Sequence, residues 1–457
     1  MKRLIWGPVL LTVLSLGLAA GQSMNYGYAG PFPPDSGHTT LGGIINVGLG
    51  VDPAGKVWVQ TRSENSTRDS IETPEGGKAR LFPIYVFNPD GSQASFSPIK
   101  ILTGPDPDNV TVTDTLIRSG ATGGNINPSN GNFAAVWGSL SYKPGPLIWE
   151  IDYKTGQGVR RVLLSPTGDP PVNVLQNNVA SLAINQDGEY YLCSVLSGTP
   201  GLILNPNGTA GGLWAESVPA IGRAMAVSRD GNDVYVPRFT DLKTFIYHSD
   251  AGSLGPYVKS DSIFIGASIE SIAIHPVTGY LWVIVDRRST PEWTPNTAYA
   301  WDPATEAVVD SFHITAWDPG TTGPLPRGMA FSPTGDTVYV AHFDVSSLPA
   351  VVRFIKGLGV SVERDPAIIP TGYELSQNYP NPFNPSTTIR FMIAQNGFTT
   401  LKVYDMMGRE VATLVEKELT AGAYKATFDA KNLTSGTYIY VLSSSGQRLA
   451  NKMLLIK

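Results

Sequence analysis

The chain has 457 residues, 16% of them charged, and a formal net charge of −5. No basic segment stands out, which excludes binding of nucleic acid by phosphate neutralisation, and 48 glycines with 36 prolines favour a turn-rich all-β chain. The single cysteine, Cys193, excludes an intrachain disulfide, a cysteine-zinc site, a c-type haem and an iron–sulfur cluster. We expect it to be buried, because it lies in the strand-like run YYLCSV.

Residues 1–21 have the pattern of a secretory signal peptide. Lys2 and Arg3 precede the apolar run Leu4–Leu18, and Ala19–Gly21 supplies the small residues that cleavage requires. The apolar run is short for a membrane span, so an N-terminal anchor helix is the less favoured alternative. No later stretch has the length and apolarity to cross a bilayer. We therefore expect an exported chain without a transmembrane segment after cleavage.

One hairpin pattern recurs six times after an irregular lead-in, and we expect the ring to begin near Leu41. In the clearest copy, Arg327–Val340, an apolar strand passes through a Pro-Gly turn into a second strand rich in Val and Tyr. The turn glycines of the six copies are Gly55, Gly131, Gly188, Gly231, Gly279 and Gly335. Repetition of this kind is typical of β-propeller blades, because a sheet with two apolar faces can bury both only between neighbouring sheets. The pattern predicts a β-propeller over residues 22–364 with six blades, or seven. A set of β-sandwiches with similar turns is the alternative.

A polar ring is predicted from the alignment of the copies. Ala180, Arg223, Glu270 and Arg327 all fall just before an inner strand. Because inner strands line the channel of a propeller, Arg223, Glu270 and Arg327 should meet at one mouth and could bind an anionic or carbohydrate ligand. The alternative is a structural Arg–Glu–Arg ladder between neighbouring blades.

No specific catalytic or metal-binding constellation is present in the sequence. The five histidines show no metal-ligand spacing, and there is no nucleophile elbow, P-loop or dinucleotide fingerprint. We therefore predict no catalytic, cofactor-binding or metal-binding residue. Asp106 and Asp108 could help to bind Ca²⁺, although two carboxylates are fewer than the six or more oxygen ligands that this ion requires. Four tryptophans could stack on sugars, although packing between blades is the favoured interpretation: Trp58, Trp137, Trp282 and Trp293.

The C-terminal part changes pattern. Residues 365–379 read as a proline-punctuated linker, and residues 380–457 contain short strands at about ten-residue spacing, which predicts a small Ig-like β-sandwich. Motif residues in this part are Tyr379, Pro380, Asn381, Pro382, Phe383, Asn384, Pro385, Tyr404, Asp405, Gly408, Arg409, Gly422, Gly436, Tyr438 and Lys452.

On these motifs the last 80 or so residues resemble the type A C-terminal sorting domain of the type IX (Por) secretion system. The resemblance implies that the secretion machinery is a partner and that the protein is released, or attached to the outer surface of a Gram-negative cell. It also implies that the domain is often cleaved off, which we expect within residues 365–377. More loosely, PRGMAFSPTGDTVYVA at Pro326–Ala341 resembles YVTN-type and quinoprotein-like propellers.

The predicted function is accordingly a secreted or surface-displayed propeller. It would act as a non-catalytic module that binds a carbohydrate, a peptide or a surface partner. The alternatives are a hydrolase or lactonase-like enzyme acting at the channel mouth, and a structural surface component.

Overall fold

The structure is a computed structural model that describes residues 24, 26–34, 44–64, 70–72, 78–106, 109–116, 123–137, 147–163, 179–194, 198–218, 224–238, 241–286, 288–314, 326–342, 350–356, 362–365, 370, 372–430 and 433–457. The predicted signal peptide, residues 1–21, lies outside these residues. The described chain is built from antiparallel strands, with one short 3₁₀ helix at Gly252–Leu254. None of the described helical structure has the length and apolarity needed to cross a bilayer.

The strands of the N-terminal part follow one another blade by blade. Strand β1 (Tyr26–Pro31) comes first. The next region holds β2 (Ile44–Val51), β3 (Val57–Glu64), β4 (Ser70–Glu72), β5 (Lys78–Arg80), β6 (Ile84–Phe87), β7 (Ile101–Pro105) and β8 (Thr111–Thr115). In this region β2, β3 and β6 form blade 1, while β4–β5 and β7–β8 form two separate hairpins.

Blades 2 to 5 are four-stranded sheets in which successive strands pair. Blade 2 holds β9 (Gly124–Ile126), β10 (Phe133–Trp137), β11 (Leu147–Ile151) and β12 (Gly158–Leu163). Blade 3 holds β13 (Val179–Ile184), β14 (Tyr190–Ser194), β15 (Thr199–Leu204) and β16 (Ala210–Val218). Blade 4 holds β17 (Ala226–Val227), β18 (Asp233–Arg238), β19 (Lys243–His248) and β20 (Val258–Ile263). Blade 5 holds β21 (Ile269–Ile274), β22 (Leu281–Val285), β23 (Thr297–Asp302) and β24 (Ala307–His313).

The sixth blade joins the two ends of this region. It consists of β25 (Pro326–Phe331), β26 (Thr337–His342) and β27 (Val351–Lys356), and its outermost strand is β1. Tyr26 pairs with Lys356 and Tyr28 pairs with Phe354. The expectation of an irregular lead-in, with a ring that begins near Leu41, was therefore wrong, although the first hairpin repeat does begin close to that position, at β2. The segment YGYAGP has the composition of a loop. Its role as a strand was not apparent from the sequence, because its pairing partner lies more than 300 residues away.

The six sheets form a closed ring around a common axis. Inner strands β2, β9, β13, β17, β21 and β25 contact one another in that order, and β25 contacts β2 again. A hydrophobic cluster lies between each pair of neighbouring blades. Alternate residues of each strand contribute their side chains to the clusters on its two sides. In β14, for example, Tyr190 and Leu192 face blade 2, whereas Tyr191 and Cys193 face blade 4. The six-bladed propeller and the buried Cys193 are thus confirmed.

The turn that follows each inner strand has the predicted chemistry. All six turn glycines have a positive φ, from 69° at Gly335 to 85° at Gly188. This backbone conformation favours glycine, since a Cβ would crowd the carbonyl oxygen. The hairpins therefore form where the sequence pattern predicts them.

The C-terminal unit is a sandwich of two four-stranded sheets. One sheet has the order β28 (Val362–Asp365), β33 (Gly422–Asp429), β30 (Ser386–Ile393) and β29 (Glu374–Leu375). The other has the order β32 (Glu410–Leu419), β31 (Gly397–Tyr404), β34 (Gly436–Ser444) and β35 (Gln447–Leu455). A single apolar core, which includes Phe391, Leu401 and Tyr440, lies between the sheets.

The two units join differently from the predicted linker over residues 365–379. Both β28 and β29 pair within the C-terminal sandwich, so pairing with that unit begins at Val362. In addition, β32 of the sandwich contacts β1, the closing strand of the ring. Tyr28 of β1 is half-buried, and this burial together with the carboxylate of Glu410 raises the pKa of its phenol to about 12. Cleavage within residues 365–377 stays a prediction.

Candidate functional site

The channel of the ring has two chemically different ends. Every inner strand runs toward the turn of its own hairpin, so the six turns lie together at one end, which we call the hairpin end. The first residues of the inner strands lie at the opposite end, which we call the start end. The predicted polar ring belongs to the start end.

At the start end, the structure brings two of the three predicted residues together. Glu270 on β21 and Arg327 on β25 come from neighbouring blades, and Arg327 Nε forms an ion pair with Glu270 Oε2. Arg288 Nη2 donates to the other oxygen, Glu270 Oε1, at 2.5 Å. The third predicted residue, Arg223, lies outside the described residues. The sequence alignment therefore placed Glu270 and Arg327 correctly relative to each other.

Two members of this cluster are enclosed by protein, whereas the side chain of Arg288 is 39% exposed. Glu270 is only 2% exposed and Arg327 only 8%, and Arg288 Nε is held by Asp286 Oδ2 at 2.9 Å. A buried carboxylate between two guanidinium groups is the arrangement expected of the structural ladder between blades. Neither Glu270 nor Arg327 lines the cavity described next. A ligand-binding role for Arg223, Glu270 and Arg327 stays a prediction.

At the hairpin end, the channel widens into a cavity of about 400 Å³. All six blades contribute to its wall, which is mostly aliphatic. Wall residues from the inner strands are Val51, Ile126, Ile184, Val227, Ile272, Ile274, Met329 and Phe331. Two amides, Asn125 and Asn127, come from blade 2. The repeat makes this cavity, because each inner strand ends at the same level.

The mouth of the cavity is formed by the second residue after the end of each inner strand. We call this set the collar, and it consists of Pro53, Pro128, Gln186, Arg229, Pro276 and Pro333, one from each blade. Four of the six are prolines, which present apolar CH groups. Blades 3 and 4, which are adjacent, instead supply the amide of Gln186 and the guanidinium of Arg229. The collar is thus apolar on one side and polar on the other.

Arg229 is held in place by its neighbours on both sides. Its Nη2 donates to the carbonyl oxygen of His275 in blade 5 at 3.2 Å, and its own carbonyl accepts from Gln186 N in blade 3 at 3.0 Å. Among the described lining residues, Arg229 carries the only charged side chain. The guanidinium therefore sets the electrostatic character of the mouth.

His275 lies just behind the collar and is neutral near pH 7. Burial lowers the pKa of its imidazole to about 4, against a small contribution from the Gly335 carbonyl that favours the charged form. Nδ1 accepts from Thr278 N at 3.1 Å, and Nε2 lies 3.1 Å from the hydroxyl of Tyr26 on the closing strand. His275 thus links blade 5 to the closing strand and adds no charge to the mouth.

The remaining predicted residues have other positions. Trp58 and Trp282 are fully buried between blades, Trp293 is half-buried, and the side chain of Trp137 is outside the description. Asp106 Oδ2 lies 3.7 Å from Arg161 Nη2, and Asp108 is outside the described residues. Within the described ranges there is no group of three or more His, Cys, Asp or Glu side chains suited to a metal ion.

The alignment that located Glu270 and Arg327 missed the collar. It considered the position before each inner strand and left out the position after it. The sequence did contain a signal for the collar: at this position a proline recurs in four copies of the repeat and an arginine replaces it in one copy.

The predicted sorting residues lie in the C-terminal sandwich, where several connect the YPNPFNP segment to the last strand. Asn381 Oδ1 accepts from Leu454 N at 2.9 Å, and Phe383 is buried in the core beside β35. Asp405 accepts from Arg409 Nε at 2.8 Å within a turn that contains Gly408. Tyr379, by contrast, is 82% exposed.

Comparison with protein families identifies this unit. Residues 377–457 match the family described as the secretion system C-terminal sorting domain. The chain therefore carries a sorting domain of the type IX system and is secreted or attached to the outer cell surface. No curated protein matches the chain significantly.

Solved structures similar to the chain include several propellers. PorZ, described as a bacterial surface component of the type IX secretion system of Porphyromonas gingivalis, is 12% identical with a TM-score of 0.39, and the match covers 90% of this chain and 59% of PorZ. Regucalcin from Agrobacterium tumefaciens is 11% identical with a TM-score of 0.41, over 73% of this chain and 95% of that one. The periplasmic gluconolactonase PpgL of Pseudomonas aeruginosa is 12% identical with a TM-score of 0.37, over 84% and 88%. The chain thus spans less than two thirds of the PorZ chain.

Proposed function

We propose that this exported protein is a non-catalytic binding module whose ligand site is the cavity at the hairpin end of the channel. The observation that carries the proposal is the cavity itself. All six blades build its 400 Å³, with aliphatic walls and a few polar groups gathered at the mouth. Small-molecule sites usually have this size and this composition.

The sorting domain supports an extracellular role for such a site. A module displayed outside the cell meets small molecules and polymers directly. The hairpin turns are short and are fixed by their glycines and capping residues, so the mouth is preformed. Preformed sites lose less conformational entropy when a ligand binds.

The two alternatives make different demands on the same region. A lactonase-like site needs several carboxylates and asparagines around a metal, and the described lining supplies Asn125 and Asn127 but no carboxylate. A structural surface component needs no ligand at all. A binding measurement separates the three roles.

The test is a ligand screen on the full mature chain, with glycans, short peptides and small organic acids as probes and thermal stabilisation as the readout. Hits are repeated with Gln186→Trp, which narrows the mouth at an exposed collar position. The matched control is Gln157→Trp, an equally exposed glutamine in an outer turn of blade 2. We expect Gln186→Trp to abolish stabilisation by the hits and Gln157→Trp to retain it.

Three outcomes would contradict the proposal. Hits that are indifferent to Gln186→Trp would bind elsewhere on the protein. A library without any hit would favour the structural role, whereas turnover of a hit would favour the enzyme.

A further inference from the structure

The polar side of the collar specifies the class of ligand. Resting on the proposed function above, we propose that the cavity takes a small organic carboxylate with an apolar body, and that Arg229 holds its carboxylate at the mouth.

The charges near the mouth leave Arg229 as the group that faces the cavity. Asp230, the next residue on the same turn, is exposed, and its carboxylate accepts from Ser228 Oγ at 2.6 Å and Asn232 N at 3.1 Å. In blade 1, Asp52 is buried and accepts from Lys56 N at 2.9 Å and Trp58 Nε1 at 3.0 Å. Both carboxylates are thus engaged with their own hairpins. Asp187 beside Gln186 and Asp336 beside Gly335 are further carboxylates on these turns, and none of the four belongs to the cavity lining.

The guanidinium of Arg229 is oriented for an anion. It has five N–H groups in a planar fork, and the contact with the carbonyl of His275 fixes the plane through Nη2. A fixed guanidinium binds carboxylates with two parallel hydrogen bonds, and such charge-assisted bonds are about twice as strong as neutral ones. The amide of Gln186 in the adjacent blade is a second polar group at the same side of the mouth.

The walls below the mouth favour an apolar body over a sugar. A sugar has hydroxyl groups around its whole ring, and each hydroxyl buried without a partner weakens binding. The aliphatic side chains of Ile126, Ile272 and Met329 offer no hydrogen bonds, and His275 is enclosed behind them. Among the described strand residues of the wall, Asn125 has the one polar side chain. A ligand with one charged end and an aliphatic or aromatic remainder matches both regions of the cavity.

The experiment compares acids with their uncharged amides on the full mature chain by isothermal titration calorimetry at pH 7 and low salt. The probes are 3-phenylpropionate with 3-phenylpropanamide, and hexanoate with hexanamide. We expect each acid to bind about tenfold more tightly than its amide, because only the acid forms a charge-assisted pair. Arg229→Gln should remove this difference and Arg229→Lys should restore part of it. Arg390→Gln, which removes a charge from an exposed strand position of the sorting domain, should leave it unchanged.

The failures of the two proposals are distinguishable. Equal binding of acids and amides, blocked by Gln186→Trp, would overturn the ligand class and keep the site. Binding of glycans from the screen without binding of the four probes would do the same. An acid preference that survives Arg229→Gln would overturn the role of Arg229. Absence of binding by every probe and by the whole screen would overturn both.

Discussion

The two ends of the channel use charged residues in opposite ways. At the start end, Glu270 and Arg327 are the second residues of their inner strands, so their side chains remain within the stack of blades and neutralise each other there. At the hairpin end, Arg229 follows the strand, where the chain has left the stack, and its guanidinium borders a cavity. The position within the repeat thus decides the role: charged residues at the start of the inner strand form an internal ion pair, whereas a charged residue just after the strand borders the cavity.

The largest loss of stability is expected when the ion pairs of Glu270 at the start end are removed. Glu270→Ala leaves two guanidinium groups without their shared carboxylate, which should lower the free energy of unfolding by about 3–5 kcal/mol. Arg229→Gln at the hairpin end should change it by less than about 0.5 kcal/mol. Urea unfolding of both variants checks the contrast. Equal effects would show that the two ends are built alike.

A further variant separates charge from packing at the start end. Glu270→Leu combined with Arg327→Met replaces the ion pair by apolar groups of similar size. It should recover most of the stability that Glu270→Ala loses, because the cost arises from an uncompensated buried charge. Recovery of less than a quarter of the loss would argue against this explanation.

Acid should destabilise both ends of the ring through a buried histidine. Burial lowers the pKa to about 4 for His275 at the hairpin end and to about 4 for His342 at the start end. Because the ordinary pKa is 6.5, the unfolded chain binds more protons between these values. Stability is therefore full above pH 6.5, falls as the pH drops toward 4, and loses up to about 3 kcal/mol per histidine.

Unfolding measured from pH 7 to pH 4 checks this expectation. His275→Gln and His342→Gln should each flatten the slope by a comparable amount. The sorting sandwich contains none of the five histidines and should not share this slope in that range. A slope unchanged in both variants would assign the acid sensitivity to other groups.

A smaller loss of stability is expected from alanine substitutions at two turn glycines of the hairpin end. A Cβ on Gly335 would lie 2.4 Å from the ring of His275, whereas a Cβ on Gly279 would meet nothing within 4 Å. Both glycines have a positive φ, so alanine at either should cost about 1–2 kcal/mol for the backbone alone. Gly335→Ala should cost about 1–3 kcal/mol more, for the crowded contact. Thermal unfolding of the two variants measures the difference, and equal losses would mean that His275 moves aside freely.

The smallest effect is expected at the collar. Gln186→Trp places a large side chain at an exposed position, so the free energy of unfolding should change by less than about 0.5 kcal/mol. A loss above 1 kcal/mol would show that the collar is packed and not open.

The features that the sequence predicted depend mainly on residues that lie close together in the chain. The six turn glycines, the alternation of side chains that fills both faces of each blade, and the sorting domain all follow from short patterns read in place. The contact between Glu270 and Arg327 followed from alignment of repeats, which is a statement about symmetry. Such features require no knowledge of distant pairing.

What the sequence did not predict depends on distant pairing or on the absence of a pattern. Tyr26–Pro31 closes the sixth blade, but an outermost strand needs few apolar residues and its partner is remote. The cavity arises from six strand ends at one level, which no single repeat contains. The collar was missed for a different reason. Its four prolines look like ordinary turn residues in the sequence, and only the closed ring shows that they surround one cavity.

The closing strand makes folding of the ring depend on both ends of the propeller sequence. The first strand of the ring pairs with Val351–Lys356, the last strand of the propeller, and β32 of the sorting unit contacts the same closing strand. A chain truncated before Val351 would therefore lack the partner of β1 and leave the ring open. Closure thus requires nearly the whole propeller sequence, and the sorting domain lies against the strand that completes it.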